Sequence, residues 1–212
     1  MQIIFDIDGT LTACHDVDFQ VFFDSLEEGL GVEGVSRDLS DYPEVTDSSI
    51  LQIVSRKHLG RDPTHAESAF LERQFASRIR DRTKARVRYS EMPGATSLVA
   101  ELEERGVPLG IATGNWRSSA QVKLEAIGLE RLIKNSGTAT DAVRRADIIR
   151  KAATVDSNHT WYIGDGEWDM RSAAELGINF LGVGERVKRF GPEHWVADLS
   201  DRTAILGLLL QS

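Results

Sequence analysis

The sequence has little cysteine, no long apolar run and no excess of positive charge. Cys14 is the only cysteine in the 212 residues, which excludes an intramolecular disulfide and a cysteine-based metal cluster. No apolar run approaches the ~20 residues that a membrane-spanning helix requires. The chain opens at once in a strand-like segment, without the pattern of a signal peptide. We therefore expect a cytoplasmic protein that has no membrane partner.

The net charge of the chain argues against one class of binding partner. The formal net charge is -8, whereas nucleic-acid binders usually carry a basic excess, so we expect no nucleic-acid partner. An anionic substrate is still compatible with this charge, because local charges and a bound metal decide its binding. The apolar and charged fractions are ordinary for a globular protein, and the length allows one large domain or a domain with an insertion.

The first ten residues bring two carboxylates to one strand end. Ile3 to Phe5 form an apolar run, which is typical of a buried strand, and the chain turns at Gly9. Asp6 and Asp8 are spaced by two, so their side chains are expected on one face. Two such carboxylates repel each other unless a cation lies between them or one is protonated. A structural role for the pair is therefore disfavoured.

Residues 13 to about 90 contain no convincing strand and show helical periodicity instead. Asp62 and Pro63 are a plausible N-cap and first residue of the last helix in this stretch. Three helices are predicted there, ending near Gly31, near Gly60 and near Arg82.

From Met92 onward, predicted strands and helices alternate. The predicted strands cover 107–112, 160–163, 179–183 and 195–199. The predicted helices cover 96–105, 118–127, 141–153 and 167–176, and Ser200 is predicted to cap a last helix through Leu210. This alternation predicts an α/β fold with a doubly wound, mostly parallel sheet and helices on both faces. Such sheets bind ligands at the carboxyl ends of their strands.

Two further strand ends carry polar residues. Thr113, Gly114 and Asn115 follow an apolar strand and precede a helix, a geometry that favours an anion. Asp165 lies at the end of the strand 160–163 and Asp169 one helical turn later. Together with the two N-terminal aspartates they form an acidic cluster whose oxygen atoms suit Mg²⁺.

The motifs at these strand ends resemble those of the haloacid dehalogenase-like hydrolases. Phe5-Asp6-Ile7-Asp8-Gly9-Thr10-Leu11 resembles the first motif, Ala112-Thr113-Gly114-Asn115 the second, and Gly164-Asp165-Gly166-Glu167-Trp168-Asp169 the fourth. The resemblance implies a Rossmann-like catalytic core over residues 1–12 and 91–212. It also implies an inserted, all-helical cap domain over residues 13–90.

The resemblance also implies roles for the matching residues. Asp6 would be the nucleophile that takes the phosphoryl group, and Asp8 would protonate the leaving oxygen and then deprotonate the hydrolytic water. The metal would be Mg²⁺, bound by the Asp6 carboxylate, the Asp8 backbone carbonyl and Asp165. Asp169 would orient these ligands or add another. Thr113 and the amides of Gly114 and Asn115 would bind the phosphoryl group.

The third motif departs from the family pattern, in which a lysine precedes the fourth motif by a little over 20 residues. The corresponding segment, 140–147, has no lysine, and an arginine could supply the charge. We favour Arg145, with Arg144 second, and both could instead be surface residues. Lys123 and Lys151 lie away from the expected position.

Asp8 favours a phosphatase, because an alkoxide leaving group needs a proton donor and a halide does not. The loop 41–47 resembles the substrate-selecting loop of phosphoglycolate phosphatase-like members, which makes Thr46 a candidate substrate-binding residue; Asp47 is either a helix cap or a substrate ligand. The expected substrate is a small phosphorylated metabolite of the phosphoglycolate or sugar-phosphate type. A phosphosugar mutase, a phosphonatase and a non-catalytic binding or regulatory domain are the alternatives. The sequence does not indicate an oligomeric state.

Overall fold

The structure is a computed structural model that describes residues 1–13, 16–84 and 89–210, so Cys14 lies outside the described residues. Its six strands form one sheet in the order β3-β2-β1-β4-β5-β6, and every pairing is parallel. The strands are β1 Gln2–Phe5, β2 Leu109–Ala112, β3 Ser136–Gly137, β4 Thr160–Gly164, β5 Asn179–Val183 and β6 His194–Val196. The predicted doubly wound α/β fold is confirmed.

Helices connect these strands and cover both faces of the sheet. They are α1 Asp16–Leu30, α2 Asp47–Leu59, α3 His65–Lys84, α4 Ala95–Glu104, α5 Arg117–Ala126, α6 Arg145–Ala152, α7 Glu167–Leu176, α8 Glu185–Lys188 and α9 Arg202–Leu209. None of the described helices combines the length and the apolar character needed to cross a membrane.

The central strand β1 contributes to a separate apolar core on each face of the sheet. Ile3 and Phe5 point to one face and pack with side chains of α4, α5 and α9. Ile4 points to the other face and packs with side chains of α1, α2, α3, α6 and α7. This alternation is the period of two of a strand, and burial on both faces explains why the whole strand is apolar.

The stretch between β1 and α4 is helical, as its periodicity predicts. Apolar side chains of α1 and α3 pack together; the rings of Phe22 and Phe75 are edge-to-face, with centroids 5.4 Å apart. The start of α2 contacts the core, since the Asp47 N–H donates to the Gly114 carbonyl at 2.8 Å. The division into a core of 1–12 and 91–212 and a cap of 13–90 stays a prediction.

Two predicted helix starts are corrected by local hydrogen bonds. The helix α3 begins at His65 and not at Pro63, because Thr64 and Glu67 form a capping box: the Glu67 N–H donates to the Thr64 hydroxyl, and the Thr64 N–H donates to Glu67. The last helix is capped by Asp201 and not by Ser200, since Asp201 Oδ1 accepts the Ala204 N–H at 3.1 Å.

The helix predicted over 141–153 begins later, at Arg145. Asp141 instead closes a turn, in which its Oδ2 accepts from the N–H and the hydroxyl of Thr138. This shift matters for the site, because it moves Arg145 from a helix interior to the first residue of α6. The two-residue strand β3 and the four-residue helix α8 are not predicted, because elements so short show no periodicity.

Candidate active site

The end of β1 holds two carboxylates at the centre of the sheet. Asp6 is 4% exposed, and its N–H donates to the Ile163 carbonyl at 2.9 Å, which extends the pairing with β4. The Asp8 side chain is 31% exposed. The Gly9 backbone lies close to the Asp165 side chain. A Cβ on Gly9 would lie 2.0 Å from Asp165 Oδ2, and the φ of Gly9 is +72°. Only glycine fits there.

Asp6, Asp165 and Asp169, three of the four residues of the predicted acidic cluster, converge at the strand ends, whereas the Asp8 carboxylate lies outside this group. One carboxylate oxygen of each lies within 4.8 Å of the others, and all three residues are buried. Burial, together with the charge of Asp169, raises the pKa of Asp6 to about 7, and burial also raises the pKa of Asp165. Asp169 is held in place, because Tyr162 donates its hydroxyl to Oδ1 and Gly166 its N–H to Oδ2.

Arg145 reaches this cluster from the first turn of α6. One guanidinium nitrogen lies 3.3 Å from Asp6 Oδ1 and 3.4 Å from Asp169 Oδ1, and the side chain is 4% exposed. The other terminal nitrogen donates to the Val45 carbonyl at 2.9 Å. Arg144 instead pairs with Glu175 at the surface and is 49% exposed. Of the two candidate arginines, the structure places only Arg145 beside the acidic cluster.

Lys123 is the basic residue that the sequence interpretation missed. It lies in α5, is 3% exposed, and donates to Asp8 Oδ2 at 2.6 Å and to Asn115 Oδ1 at 2.9 Å. Its Nζ also lies 3.7 Å from Asp18 of α1. Burial alone would raise the pKa of Asp8, but the Lys123 charge and the hydrogen bonds to Asp8 lower it below its usual value. The sequence carries no signal for this contact, because it does not specify which residues of α5 face the strand ends.

The loop after β2 lies against Asp8 as predicted. Asn115 Nδ2 donates to Asp8 Oδ2 at 2.8 Å and to the Thr113 hydroxyl oxygen at 2.9 Å. A Cβ on Gly114 would lie 2.6 Å from an Arg145 nitrogen and 2.7 Å from the Val45 carbonyl, so this position must be small. Thr113 and Asn115 are buried. The three residues predicted to bind a phosphoryl group therefore lie together at Asp8, and they line one cavity with Asp6.

Arg186 is a second basic residue at the site that was not predicted. It lies in α8, after β5, and one of its nitrogens is 2.9 Å from Asp165 Oδ1 and 2.8 Å from Oδ2. The guanidinium carbon lies 4.7 Å from the ring centroid of Trp168, a cation–π geometry. Arg186 therefore neutralises Asp165 while 41% of its side chain stays exposed.

Thr46 and Asp47 close the site from the side of α2. The Thr46 hydroxyl accepts the Ser49 N–H at 3.1 Å and donates to the Val143 carbonyl at 2.7 Å, so it caps α2. Asp47 is the first residue of α2, and its Oδ2 accepts the Trp116 N–H at 2.8 Å. Both residues line the cavity described below. The Thr46 hydroxyl already has two hydrogen-bond partners within the protein. Its contact with a substrate stays a prediction.

The acidic cluster has the chemistry of a magnesium site. Carboxylate oxygens are the ligands that Mg²⁺ prefers in proteins. The Asp6 and Asp165 carboxylates converge with Asp169 in one buried cluster. The residues present therefore fit this ion. A divalent cation would also offset the mutual repulsion of the three buried carboxylates.

A cavity of about 150 Å³ joins these groups. Its polar end holds the groups described above, at the carboxyl ends of the strands. Its other end is formed by α1, α2, α3 and the loop before α2. The arrangement brings a buried carboxylate, a second carboxylate with a lysine partner and a buried guanidinium to one enclosed space.

Comparisons with known proteins give a family model and several similar folds. The model of the haloacid dehalogenase-like hydrolases matches residues 3–183. A hydrolase from Pseudomonas syringae is 20% identical, with a TM-score of 0.72 and 98% of each chain covered. CbbY from Rhodobacter sphaeroides, in complex with phosphate, is 19% identical, with a TM-score of 0.72 and coverage of 94% of this chain and 95% of that one.

A third similar structure is a predicted phosphoglycolate phosphatase from Haemophilus somnus 129pt. It is 17% identical, with a TM-score of 0.61 and 96% of each chain covered. Curated protein sequences give no match to this chain. At these identities the solved structures show a shared fold.

Proposed function

This chain belongs to the haloacid dehalogenase-like hydrolases, and from that membership we propose that it is a magnesium-dependent phosphatase. Its substrate would be a small phosphate monoester, hydrolysed in the cytoplasm through an aspartyl-phosphate on Asp6. The observation that carries this proposal is the pair of unlike carboxylates. Asp6 is buried beside Arg145, whereas Asp8 is partly exposed and paired with Lys123. Two carboxylates in such different surroundings suit two different chemical roles.

Asp6 is the group we assign to attack phosphorus. Its Oδ1 accepts from Arg145, and the same guanidinium lies 3.4 Å from Asp169, so the carboxylate is held in one orientation. Arg145 Nε is buried and has no hydrogen-bond partner within the described part of the chain. Arg145 lines the cavity, and its fixed guanidinium would stabilise the charge that develops on the transferring phosphoryl group.

Asp8 is the group we assign to proton transfer. Since its pKa is lowered, Asp8 is a carboxylate at neutral pH, which suits deprotonation of the water that hydrolyses the intermediate. The first half-reaction, in which the phosphoryl group moves to Asp6, requires the protonated form of Asp8, because Asp8 would have to donate a proton to the leaving oxygen. Lys123 and Asn115, both bonded to Asp8 Oδ2, oppose that protonation. Thr12 contacts the other oxygen, Oδ1, at 3.3 Å and limits rotation of the carboxylate.

The Asp6 and Asp165 carboxylates and the Asp8 backbone carbonyl would hold Mg²⁺. When bound, the ion supplies positive charge between the nucleophile and the phosphate oxygens. Asp169 acts on Asp6 through Arg145, and it is itself fixed by Tyr162 and by the Gly166 amide. Thr113, Gly114 and Asn115 would position the phosphoryl group at the start of α5.

The alternatives find less support in the site. A phosphonatase would need a lysine in the helical stretch, but Lys57 is exposed near the end of α2 and lies outside the cavity wall; the side chain of Lys84 lies outside the described residues. A non-catalytic domain would not need to keep Asp6, Asp8 and Arg145 around one cavity. A phosphosugar mutase would use the same polar end, and product analysis would reveal it.

The proposal is tested by hydrolysis of p-nitrophenyl phosphate with and without Mg²⁺. We expect turnover by the wild-type protein only with the metal, and none by Asp6→Asn. Asp62→Asn is the matched control, because Asp62 is a surface aspartate whose side chain is 60% exposed. Unchanged hydrolysis by Asp6→Asn would refute the assigned nucleophile. Absence of phosphate release by the wild type across a panel of monoesters would refute the phosphatase.

A further inference from the structure

The end of the cavity that faces the helical stretch is apolar. Seven apolar residues from α1, α2, α3 and the loop before α2 form this wall: Phe19, Phe22, Phe23, Leu39, Val45, Ile50 and Phe75. Edge-to-face contacts join Phe19 to Phe23, Phe23 to Phe22 and Phe22 to Phe75, so the aromatic rings of the wall are continuous. It begins next to the catalytic end, since the Val45 carbonyl is bonded to Arg145.

The same wall offers a substrate few polar partners. Among the described residues of 16–84 that line the cavity, the polar ones are Asp18, Thr46 and Asp47, and none is a lysine or arginine. The Thr46 hydroxyl is used by α2 and by the Val143 carbonyl. Asp18 lies 3.7 Å from Lys123, and Asp47 accepts from Trp116. Both carboxyl groups already have partners within the protein, and none of these three residues supplies a cation for a carboxylate or a second phosphate. Few polar atoms are therefore left for the several hydroxyls of a sugar.

The cations that line the cavity all belong to its polar end. Lys123 is bonded to Asp8, Arg145 to Asp6 and Arg186 to Asp165. They therefore serve the phosphoryl group and the carboxylates around it. An ester bound with its phosphoryl group at Asp6 has to direct its alcohol part away from them, toward the apolar wall.

Resting on the proposed phosphatase function, we propose that the substrate is a monophosphate ester whose alcohol part is apolar and uncharged. This class differs from the phosphoglycolate or sugar-phosphate type expected from the sequence, because the wall lacks the partners that such substrates need. Each methylene that moves from water into apolar contact favours binding about fourfold. A butyl group should therefore be preferred over a polyhydroxylated or anionic group of similar size.

The test compares kcat/KM for butyl phosphate, glycerol 3-phosphate and 2-phosphoglycolate with Mg²⁺ present. We expect the butyl ester to exceed the other two by at least ~10-fold, which a few buried methylenes supply. Val45→Lys, which adds a cation at a half-buried position of the wall, should shift the ratio of 2-phosphoglycolate to butyl phosphate by at least ~10-fold toward the acid. Val155→Lys, which adds the same cation at an exposed position outside the cavity, is the matched control and should keep the wild-type preference.

Binding of the unreactive phosphonates separates this inference from the proposed function. Butylphosphonate should bind the wild-type protein at least ~10-fold more tightly than phosphonoacetate in calorimetric titrations. That result without hydrolysis of any ester would support the apolar site and refute the phosphatase. Hydrolysis with equal or better use of 2-phosphoglycolate or glycerol 3-phosphate would support the phosphatase and overturn the apolar substrate class.

Discussion

The Lys123 ammonium lies 2.6 Å from Oδ2 of Asp8, although the two residues are 115 positions apart in the sequence. The lysine enters from α5, the helix that follows β2, and is almost completely buried. It also bonds to Asn115 and lies 3.7 Å from Asp18 of α1. One ammonium thus connects the end of β1, the loop after β2 and the helical stretch.

Replacement of Lys123 by Met should lower both stability and turnover. The change leaves the Asp8 carboxylate without its cation, which we expect to cost about 1–3 kcal/mol in unfolding free energy, since Asp8 is partly exposed. Loss of the positive charge also raises the pKa of Asp8. The carboxylate form then requires a higher pH, so the acidic limb of the rate profile should move upward. Urea unfolding and a pH–rate profile measure the two effects.

Lys151→Met is the control for this prediction, because Lys151 is exposed and its replacement removes the same charge from the surface. If the acidic limb of the pH–rate profile of Lys123→Met stays at the wild-type position, the proposed effect of Lys123 on the pKa of Asp8 is wrong.

Replacement of Arg145 by Ala should reduce kcat by more than ~10-fold, because it removes a fixed charge beside the developing phosphoryl charge. Arg145→Lys should recover part of the rate, since it restores the charge without the planar fork. Arg144→Ala should stay near the wild-type rate, because Arg144 pairs with Glu175 at the surface. Steady-state kinetics on all three variants test this, and a larger loss in Arg144→Ala than in Arg145→Ala would reverse the assignment.

The pattern of strand ends made much of the site predictable. Apolar runs followed by polar residues locate Asp6, Thr113 and Asp165, and parallel strands bring their carboxyl ends to one edge of the sheet. Lys123 could not be placed in this way. A lysine on a helix reaches the sheet edge only if α5 lies at a particular rotation over β2, and one sequence does not specify that rotation.

Arg145 and Arg186 show where short-range patterns become ambiguous. Arg145 enters the site because α6 begins at that residue, while the periodicity predicts a start at Asp141. Arg186 lies in a four-residue helix, which is too short to give a pattern. The sequence likewise does not separate the apolar cavity wall from ordinary helix packing, because residues that pack a core and residues that line a cavity have the same spacing.

Chelation of divalent cations should abolish turnover while leaving the fold intact, and added Mg²⁺ should restore it. Binding to the folded state alone should also raise the melting temperature, by an amount equivalent to about 2.7 kcal/mol at 100 times the dissociation constant. Asp165→Asn should weaken both responses to Mg²⁺. Asp62→Asn, at an exposed position, should keep both. Full activity in the presence of excess chelator would refute the metal requirement.

Replacement of Asp47 by Asn should make stability less dependent on pH. Burial raises the pKa of Asp47 to about 7, whereas an unfolded aspartate titrates near ~3.9. Between these values the folded protein holds a proton that the unfolded chain releases, so this residue's contribution to stability falls as the pH rises through the interval. Asparagine does not titrate, and its oxygen can still accept the Trp116 N–H that Asp47 accepts at 2.8 Å.

The stability of Asp47→Asn relative to wild type should therefore increase from pH 5 to pH 8, as measured by urea unfolding at both values. Asp62→Asn provides the comparison, because Asp62 is exposed and its difference from wild type should be nearly the same at both pH values. A constant difference for Asp47→Asn would mean that this carboxyl titrates normally. Asp47 would then be ionised in the cavity at neutral pH, and its repulsion of an anionic alcohol group would be stronger.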